Sequence, residues 1–378
     1  MPPLIKETDT PLKIMEVCGT HTAAIFHSGL RGLLPPNVRL VSGPGCPVCV
    51  TPTAYIDRCL EAAAAPGKCL VSFGDMLKVP ATDGRTLSDL AGAGGAVRMV
   101  YAPFDALALA AEHPEVMYVV AAVGFETTAP AYALLIEEAL ACGLRNIRLL
   151  PALKSALAAI EHVCRIGEDV DAFLAPGHVS VITGTRPYEA LAARYGKPMV
   201  IAGFEARQLL EAVNKAIGLC AAARGTQIKE GEGGNARALT VNLYPEAVTE
   251  SGNSKALALL DTYFEKEDAV WRGLGVVPAS GYRLRDAYRE WLYENEAGIE
   301  AGGIAERGAG IEAGGVTGNS AGIEEGAALP AGCRCGDVIL GRIDPPDCPL
   351  FGKSCTPASA VGPCMVSSEG ACGIWFKG

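Results

Sequence analysis

The sequence predicts an α/β fold: two similar parallel-sheet α/β domains flanking a cleft, followed by a cysteine-rich C-terminal region. Three observations carry this expectation. Short β-branched runs alternate with longer Ala/Leu-rich stretches along the first 225 residues. The runs are continuously apolar, as strands of a parallel sheet covered on both faces are. The segment GFETT at Gly124–Thr128 is echoed by GFEAR at Gly203–Arg207, each after an apolar run and before a helix-like pattern. At 378 residues the chain exceeds one ordinary core.

In chain order, the expected strands are Ile14–Val17, Val38–Ser42, Cys69–Phe73, Val97–Tyr101, Val116–Val123, Ile147–Leu150, Ala172–Ala175 and Met199–Ala202. Helical patterns lie between them at Ala129–Cys142, Lys154–Cys164 and Glu205–Cys220. Eight strands in this order divide into two four-stranded domains, expected at 1–112 and 113–225, with a third region at 226–378. In that third region one more strand, Leu239–Leu243, precedes helices rich in Tyr and Trp. Residues 297–326 repeat every twelve residues (AGIEAGGIAERG, AGIEAGGVTGNS, AGIEEG) and carry almost no bulky side chains. So little apolar area does not offset ordering entropy, and the segment is expected to be a loosely ordered insert without a catalytic role.

Composition is globular, with 49% hydrophobic and 20% charged residues. A net charge of −10 argues against nucleic-acid binding, which needs a basic face. No run of 18 apolar residues suggests a membrane span. The N-terminus, MPPLIKETDTPLK, lacks the apolar core of a secretory signal. A cytoplasmic location is therefore expected, and in a reducing compartment clustered cysteines bind metal or do redox chemistry more often than they form structural disulfides.

Three cysteine groups stand out among the fourteen cysteines. VCGTHT places Cys18 and His21 directly after the first strand. Cys18 is a candidate thiolate nucleophile or metal ligand, and His21 a candidate base or second ligand. The bland alternative is a core cysteine beside a capping histidine. GPGCPVCVTP places Cys46 and Cys49 after the second strand, in a turn fixed by Gly and Pro. Two thiols at this spacing close a small disulfide, chelate a metal, or lower one another's pKa. No second C-x-x-C completes a zinc ribbon. Glu126 in GFETT and His178 in APGHVS also follow strands, where ligands of open α/β sheets bind. Each is a cleft group for proton transfer or an ordinary helix-terminal residue. Cys59, Cys69, Cys142, Cys164 and Cys220 read as core residues.

The third group is the tail, whose last 46 residues hold Cys333, Cys335, Cys348, Cys355, Cys364 and Cys372. Cys348, Cys355 and Cys372, with Cys333 or Cys335, offer four thiolates on Gly/Pro loops, which suits an iron–sulfur cluster, with tetrahedral zinc as the competing metal. Cys364 looks less necessary and stays open as an alternative fourth ligand.

Taken together, MEVCGTHT, SGPGCPVCVTP, VGFETTAP, LAPGHVS and CPLFGKSCTP with GPCMVSSEGAC resemble the HypD family of hydrogenase maturation factors, over nearly the whole chain. The repeat at 297–326 departs from that pattern. The resemblance implies two α/β domains flanking a cleft and a third region holding a 4Fe–4S cluster. It implies a scaffold that builds the Fe(CN)2CO unit of nickel–iron hydrogenases with the chaperone HypC and takes cyanide groups from HypE. By motif, Cys18 holds the transiently bound iron with His21 beside it, Cys46 and Cys49 form a thiol/disulfide pair, and the tail cysteines hold the cluster. An electron path from cluster through Cys46 and Cys49 to the iron at Cys18 follows as an expectation. The competing readings are a stand-alone iron–sulfur disulfide reductase and a zinc scaffold. A dinucleotide-binding dehydrogenase is disfavoured, because Ala91–Val97 leads into a strand and lacks G-x-G-x-x-G spacing.

Overall fold

A computed structural model of the chain describes residues 5–6, 8, 10–225, 239–294 and 328–377. The repeat at 297–326 lies outside the described residues. The elements run β1 Leu12–Glu16, α1 Gly19–His27, β2 Val38–Ser42, α2 Thr53–Ala64, β3 Lys68–Ser72, α3 Leu87–Gly92, β4 Val97–Met99, α4 Asp105–Glu112 and β5 Met117–Gly124. They continue with α5 Ala129–Ala141, β6 Ile147–Lys154, α6 Ala156–Arg165, β7 Ala172–Pro176, α7 Gly177–Thr183, α8 Arg186–Tyr195, β8 Met199–Ala202, α9 Ala206–Gly225 and β9 Thr240–Asn242. Then come α10 Ser254–Tyr263, β10 Phe264–Trp271, β11 Gly275–Leu284 and the tail helices α11 Cys335–Ile339, α12 Pro363–Val366 and α13 Ala371–Lys377.

All eight expected strands form, and they do divide four and four. The division is interleaved, however. One compact unit comprises Met1–Cys46, Ala156–Leu257 and Gly332–Gly378; the other comprises Pro47–Ser155 and Ala258–Ala331. The units are therefore not the contiguous stretches 1–112 and 113–225. The reason is strand pairing: on the side away from β2, β1 takes β7 as its neighbour, with Met15 opposite Phe173.

The first unit is a wholly parallel sheet in the order β2-β1-β7-β8-β9. Counted within the unit this is 2-1-3-4-5, the doubly wound order whose ligand site lies where the first and third strands part. Strands β1, β2, β7 and β8 are almost entirely buried, whereas β9 at the edge is half-buried. Ile14, Leu40, Leu174 and Val200 pack with Ile25 of α1 and with Leu209, Val213 and Ile217 of α9 in one core. Apolar residues at 209, 213, 216 and 217 of α9 follow the helical period, which is why that face turns to the sheet.

The second unit is a sheet in the order β10-β11-β6-β5-β3-β4. Its four parallel strands repeat the same winding, 2-1-3-4, so the two units are similar, as expected. β10 and β11 correct the sequence reading, which placed helices there. They form an antiparallel hairpin, with β11 also antiparallel to β6. FEKEDAVW in β10 alternates in burial with the period of a half-exposed strand, and Gly273 and Gly275 turn the chain at φ 83° and 81°. The pattern expected as a helix from Lys154 is likewise strand up to Lys154, and α6 opens at Ala156. Cys59, Cys69, Cys164 and Cys220 are buried, whereas Cys142 is exposed, because it falls at the C-cap of α5 beyond the last packed turn.

Lys154 ends β6 inside this unit, 4% exposed. Its ammonium donates to the Val270 carbonyl at 2.8 Å and lies 5.5 Å from the Trp271 ring centroid. Burial lowers its pKa from 10.5 to about 7. Between those values the unfolded chain holds a proton that the folded chain does not, so stability rises with pH across that window. The rise is worth roughly 5 kcal/mol in full. Lys154→Met is expected to flatten it, read as denaturation midpoints at pH values through the window; an unchanged slope would place the titrating group elsewhere.

Candidate functional site: a buried thiol at the strand switch point

Cys18 stands at the carboxyl end of β1, where the first unit's winding reverses. It is the N-cap of α1, with extended backbone at φ −158° and ψ 124°. Its side chain makes no capping hydrogen bond, but the backbone N–H groups of His21 and Thr20 at the helix start favour its thiolate. Behind it, Glu16 is 1% exposed; its Oε2 accepts the Cys18 N–H at 3.2 Å and its Oε1 the Thr22 hydroxyl at 2.5 Å. The GPG turn closes over the same backbone: Gly19 N–H donates to the Gly45 carbonyl at 3.3 Å, and a Cβ on Gly45 would strike the Cys18 main chain. A Cβ on Gly19 would strike Glu369 of the tail. Both glycines are therefore required by close approach rather than by backbone angle.

Burial dominates the electrostatics here. It pushes the Cys18 thiol up to about 11, with the carboxylates of Glu16 and Glu369 adding to the rise and the helix N–H groups opposing it. It also raises Glu16 to about 7 and lowers His21 to about 4. His21 is fully buried and neutral, and its Nε2 lies 3.2 Å from the Ala202 carbonyl and 3.1 Å from that of Gly203. Both partners are acceptors, so the proton sits on Nε2 and Nδ1 presents a lone pair. Phe204, which follows β8, lies against His21 at 4.9 Å and stacks on His178 at 4.1 Å between ring centroids. The ends of β1, β7 and β8 thus gather Cys18, His21 and His178. A thiol so placed can act as a soft, enclosed donor once it loses its proton.

The other sequence candidates fall elsewhere. Cys46 and Cys49 are disulfide-bonded, 5% and 2% exposed, where the chain leaves the first unit for the second. Glu126 belongs to the second unit, in which the Ser155 hydroxyl donates to its Oε1 at 2.6 Å and the Tyr282 hydroxyl lies 3.3 Å away.

The tail cysteines form a second group within the first unit. Cys333 and Cys335 have sulfurs 3.3 Å apart. A Cβ on Gly362 would lie 2.5 Å and 2.8 Å from those two sulfurs. The neighbouring Val361 N–H donates to the Cys355 sulfur at 3.4 Å, and Cys335 and Cys333 both act on Cys355 electrostatically. Cys364, the less favoured alternative on sequence, is buried and lies within electrostatic range of Cys335, Cys372 and Cys333. Cys348 is buried nearby in the chain. Among the described residues no three side chains converge on a single metal ion. A cluster does not ask for that, since each of its thiolates binds a different iron.

Sequence reading missed Glu16, Phe204, Glu369 and the place of Cys364. A carboxylate inside an otherwise apolar strand was the available signal for Glu16.

These features define a two-unit, doubly wound α/β protein with a buried thiol at a strand switch point and a thiol-rich tail. Comparison with known proteins supplies the family. The HypD family model, described as "Hydrogenase formation hypA family", matches residues 3–378. The chain is 40% identical over 371 residues to the hydrogenase maturation factor HypD of Azotobacter vinelandii, covering 96% of this chain and 88% of that protein. It is 39% identical over 374 residues to HypD of Rhodobacter capsulatus (98% and 90% covered) and 38% identical over 377 residues to HypD of Escherichia coli strain K12 (98% and 90% covered). The chain belongs to the HypD family of hydrogenase maturation factors. No helix among the described residues is long and apolar enough to cross a membrane.

Proposed function

We propose that the protein is an assembly scaffold for the Fe(CN)2CO unit of nickel–iron hydrogenase, working with HypC and accepting cyanide ligands from HypE. The observation that carries this reading is Cys18: a buried thiol at the switch point and at the start of a helix, whose backbone N–H groups favour its thiolate. The iron unit is cargo. Cyanide and carbonyl ligands favour soft, low-spin iron, and Cys18 supplies the soft donor that holds it, in an enclosure that limits water. His21, neutral and with its Nδ1 lone pair available, accepts a hydrogen bond from cargo. His178 lies across Phe204 from it. Within the second unit, Glu126 is a proton-transfer group held by Ser155 and Tyr282.

The tail fits a resident 4Fe–4S cluster: its donors are all soft thiols, and Gly362 leaves a cradle that a Cβ would fill. Cys348, Cys355 and Cys372 would hold it, with Cys335 as the fourth ligand, since it is 5% exposed and Cys333 is half-buried. When bound, such a cluster supplies electrons one at a time. The Cys46–Cys49 disulfide takes up two electrons and two protons to become a dithiol, and serves as the redox pair beside the Gly45–Cys18 contact.

Infrared spectra of protein purified without oxygen test the reading. Cyanide and carbonyl bands are expected. Their absence, with a cluster present and disulfides reduced in turnover, would leave a disulfide reductase instead. Replacing both Cys46 and Cys49 by Ala is expected to abolish hydrogenase maturation while keeping the cluster's visible absorbance; normal maturation in that variant would remove the disulfide from the mechanism.

A further inference from the structure

β8 ends at Ala202, and the chain leaves it as Gly203–Phe204. The carbonyls of Ala202 and Gly203 both accept from the His21 Nε2–H, so backbone fixes that imidazole. His178 has no such anchor. It is exposed, and among the described residues its side chain makes no hydrogen bond or ion pair. What it has is the Phe204 ring, stacked on it at 4.1 Å between centroids with the planes 29° apart. That ring is itself held from other sides. His21 lies 4.9 Å away, and Tyr244 meets it edge-on at 6.3 Å. A Cβ on Gly177 would come within 3.2 Å of the Phe204 Cζ, so Gly177 lets the backbone just before His178 close on the same ring.

We infer that Phe204 is a positioning residue of the cargo site: its face orients the His178 imidazole so that a ring N–H donates to a cyanide nitrogen of the bound iron unit. The inference rests on the scaffold reading proposed above.

Partial burial lowers the His178 pKa from its ordinary 6.5. Near neutral pH the ring is therefore uncharged, with one N–H to give. An iron-bound cyanide ends in a nitrogen lone pair, which accepts. Where the N–H points depends on rotation of the ring about χ2, a broad and roughly two-fold torsion when nothing constrains it. Stacking on Phe204 removes that freedom. The echoed position in the second unit shows the contrast. There Phe125, 6% exposed, stacks on Trp271 at 6.0 Å, a packing contact with no imidazole in it.

The test is the infrared spectrum of the full chain purified without oxygen, compared with Phe204→Leu, Phe204→Tyr, His178→Ala and the Phe204→Leu/His178→Ala double variant. Phe204→Leu is expected to keep the cyanide and carbonyl bands at full intensity but to move the cyanide bands to lower wavenumber, because a hydrogen bond to the nitrogen raises that stretch. Phe204→Tyr keeps the aromatic face and is expected to leave them in place. His178→Ala is expected to move them as Phe204→Leu does, and the double variant no further. Unmoved cyanide bands in Phe204→Leu would overturn the inference. Additive shifts in the double variant would overturn it as well, since Phe204 would then act without His178. His178 is exposed, so its replacement does not endanger folding. Unmoved cyanide bands in His178→Ala overturn the inference even if Phe204→Leu fails to fold. If the unsubstituted protein shows no cyanide or carbonyl bands, the scaffold reading itself fails and takes this inference with it. Bands that are present and unmoved sink the inference alone.

Discussion

Replacing Cys18 by Ala is expected to reduce the cyanide and carbonyl infrared bands of the purified protein to background, while the visible absorbance of the tail cluster stays. Cys18 is the sulfur at the β1 switch point whose thiolate the Thr20 and His21 N–H groups favour. Ala removes the proposed donor sulfur and leaves the helix start intact, since the Cys18 N–H bond to Glu16 and the Gly19–Gly45 bond use the backbone of Cys18 and Gly19. The lost side chain is small, and the cost in stability is on the order of 1 kcal/mol, too little to unfold a domain. Cys18→Ser is the sharper control. It keeps size and polarity but offers a hard oxygen where soft iron needs sulfur, so it is expected to restore little. Bands of normal intensity in Cys18→Ala would remove Cys18 from the cargo site.

Gly362→Ala is expected to have an effect of similar size on the other centre, emptying the tail of iron and sulfide. Gly362 has φ −96° and ψ 150°, a conformation alanine adopts freely, so backbone strain does not enter. The effect is steric. The added methyl would sit 2.5 Å from the Cys333 sulfur and 2.8 Å from the Cys335 sulfur, distances that force both side chains away. Its N–H is also one of two that face the Cys355 sulfur, so displacement reaches a third thiol. Gly92→Ala is the matching control, because a Cβ there meets open space. Full iron and sulfide content in Gly362→Ala, measured chemically on protein purified without oxygen, would show that the thiols near Gly362 do not hold the cluster.

Much of the first site was readable in the chain. Cys18, His21 and His178 each follow an apolar run, and a strand end in a doubly wound sheet is where ligands bind. What could not be read was their company. His178 was expected in the same domain as Glu126, yet it shares a unit with Cys18, because β7 pairs with β1. Glu16 looked like an ordinary strand residue, and only the fold shows that its carboxylate fastens Cys18 and Thr22. Cys364 looked dispensable by spacing, but spacing does not report depth, and it is the most buried thiol of the tail.

The sequence by itself determined the strands, most of the helices and the residue types at their ends. An apolar run or a helical period is a property of a short window, set by local sterics and by which side chains avoid water. Tertiary structure alone decided which strands became neighbours, that 264–284 folds as a hairpin, and which thiols meet in the tail. Lys13 and Asp171 show why: their hydrogen bond joins residues 158 apart in the chain. Such a contact depends on how all the apolar faces pack at once, and no window of the sequence contains it.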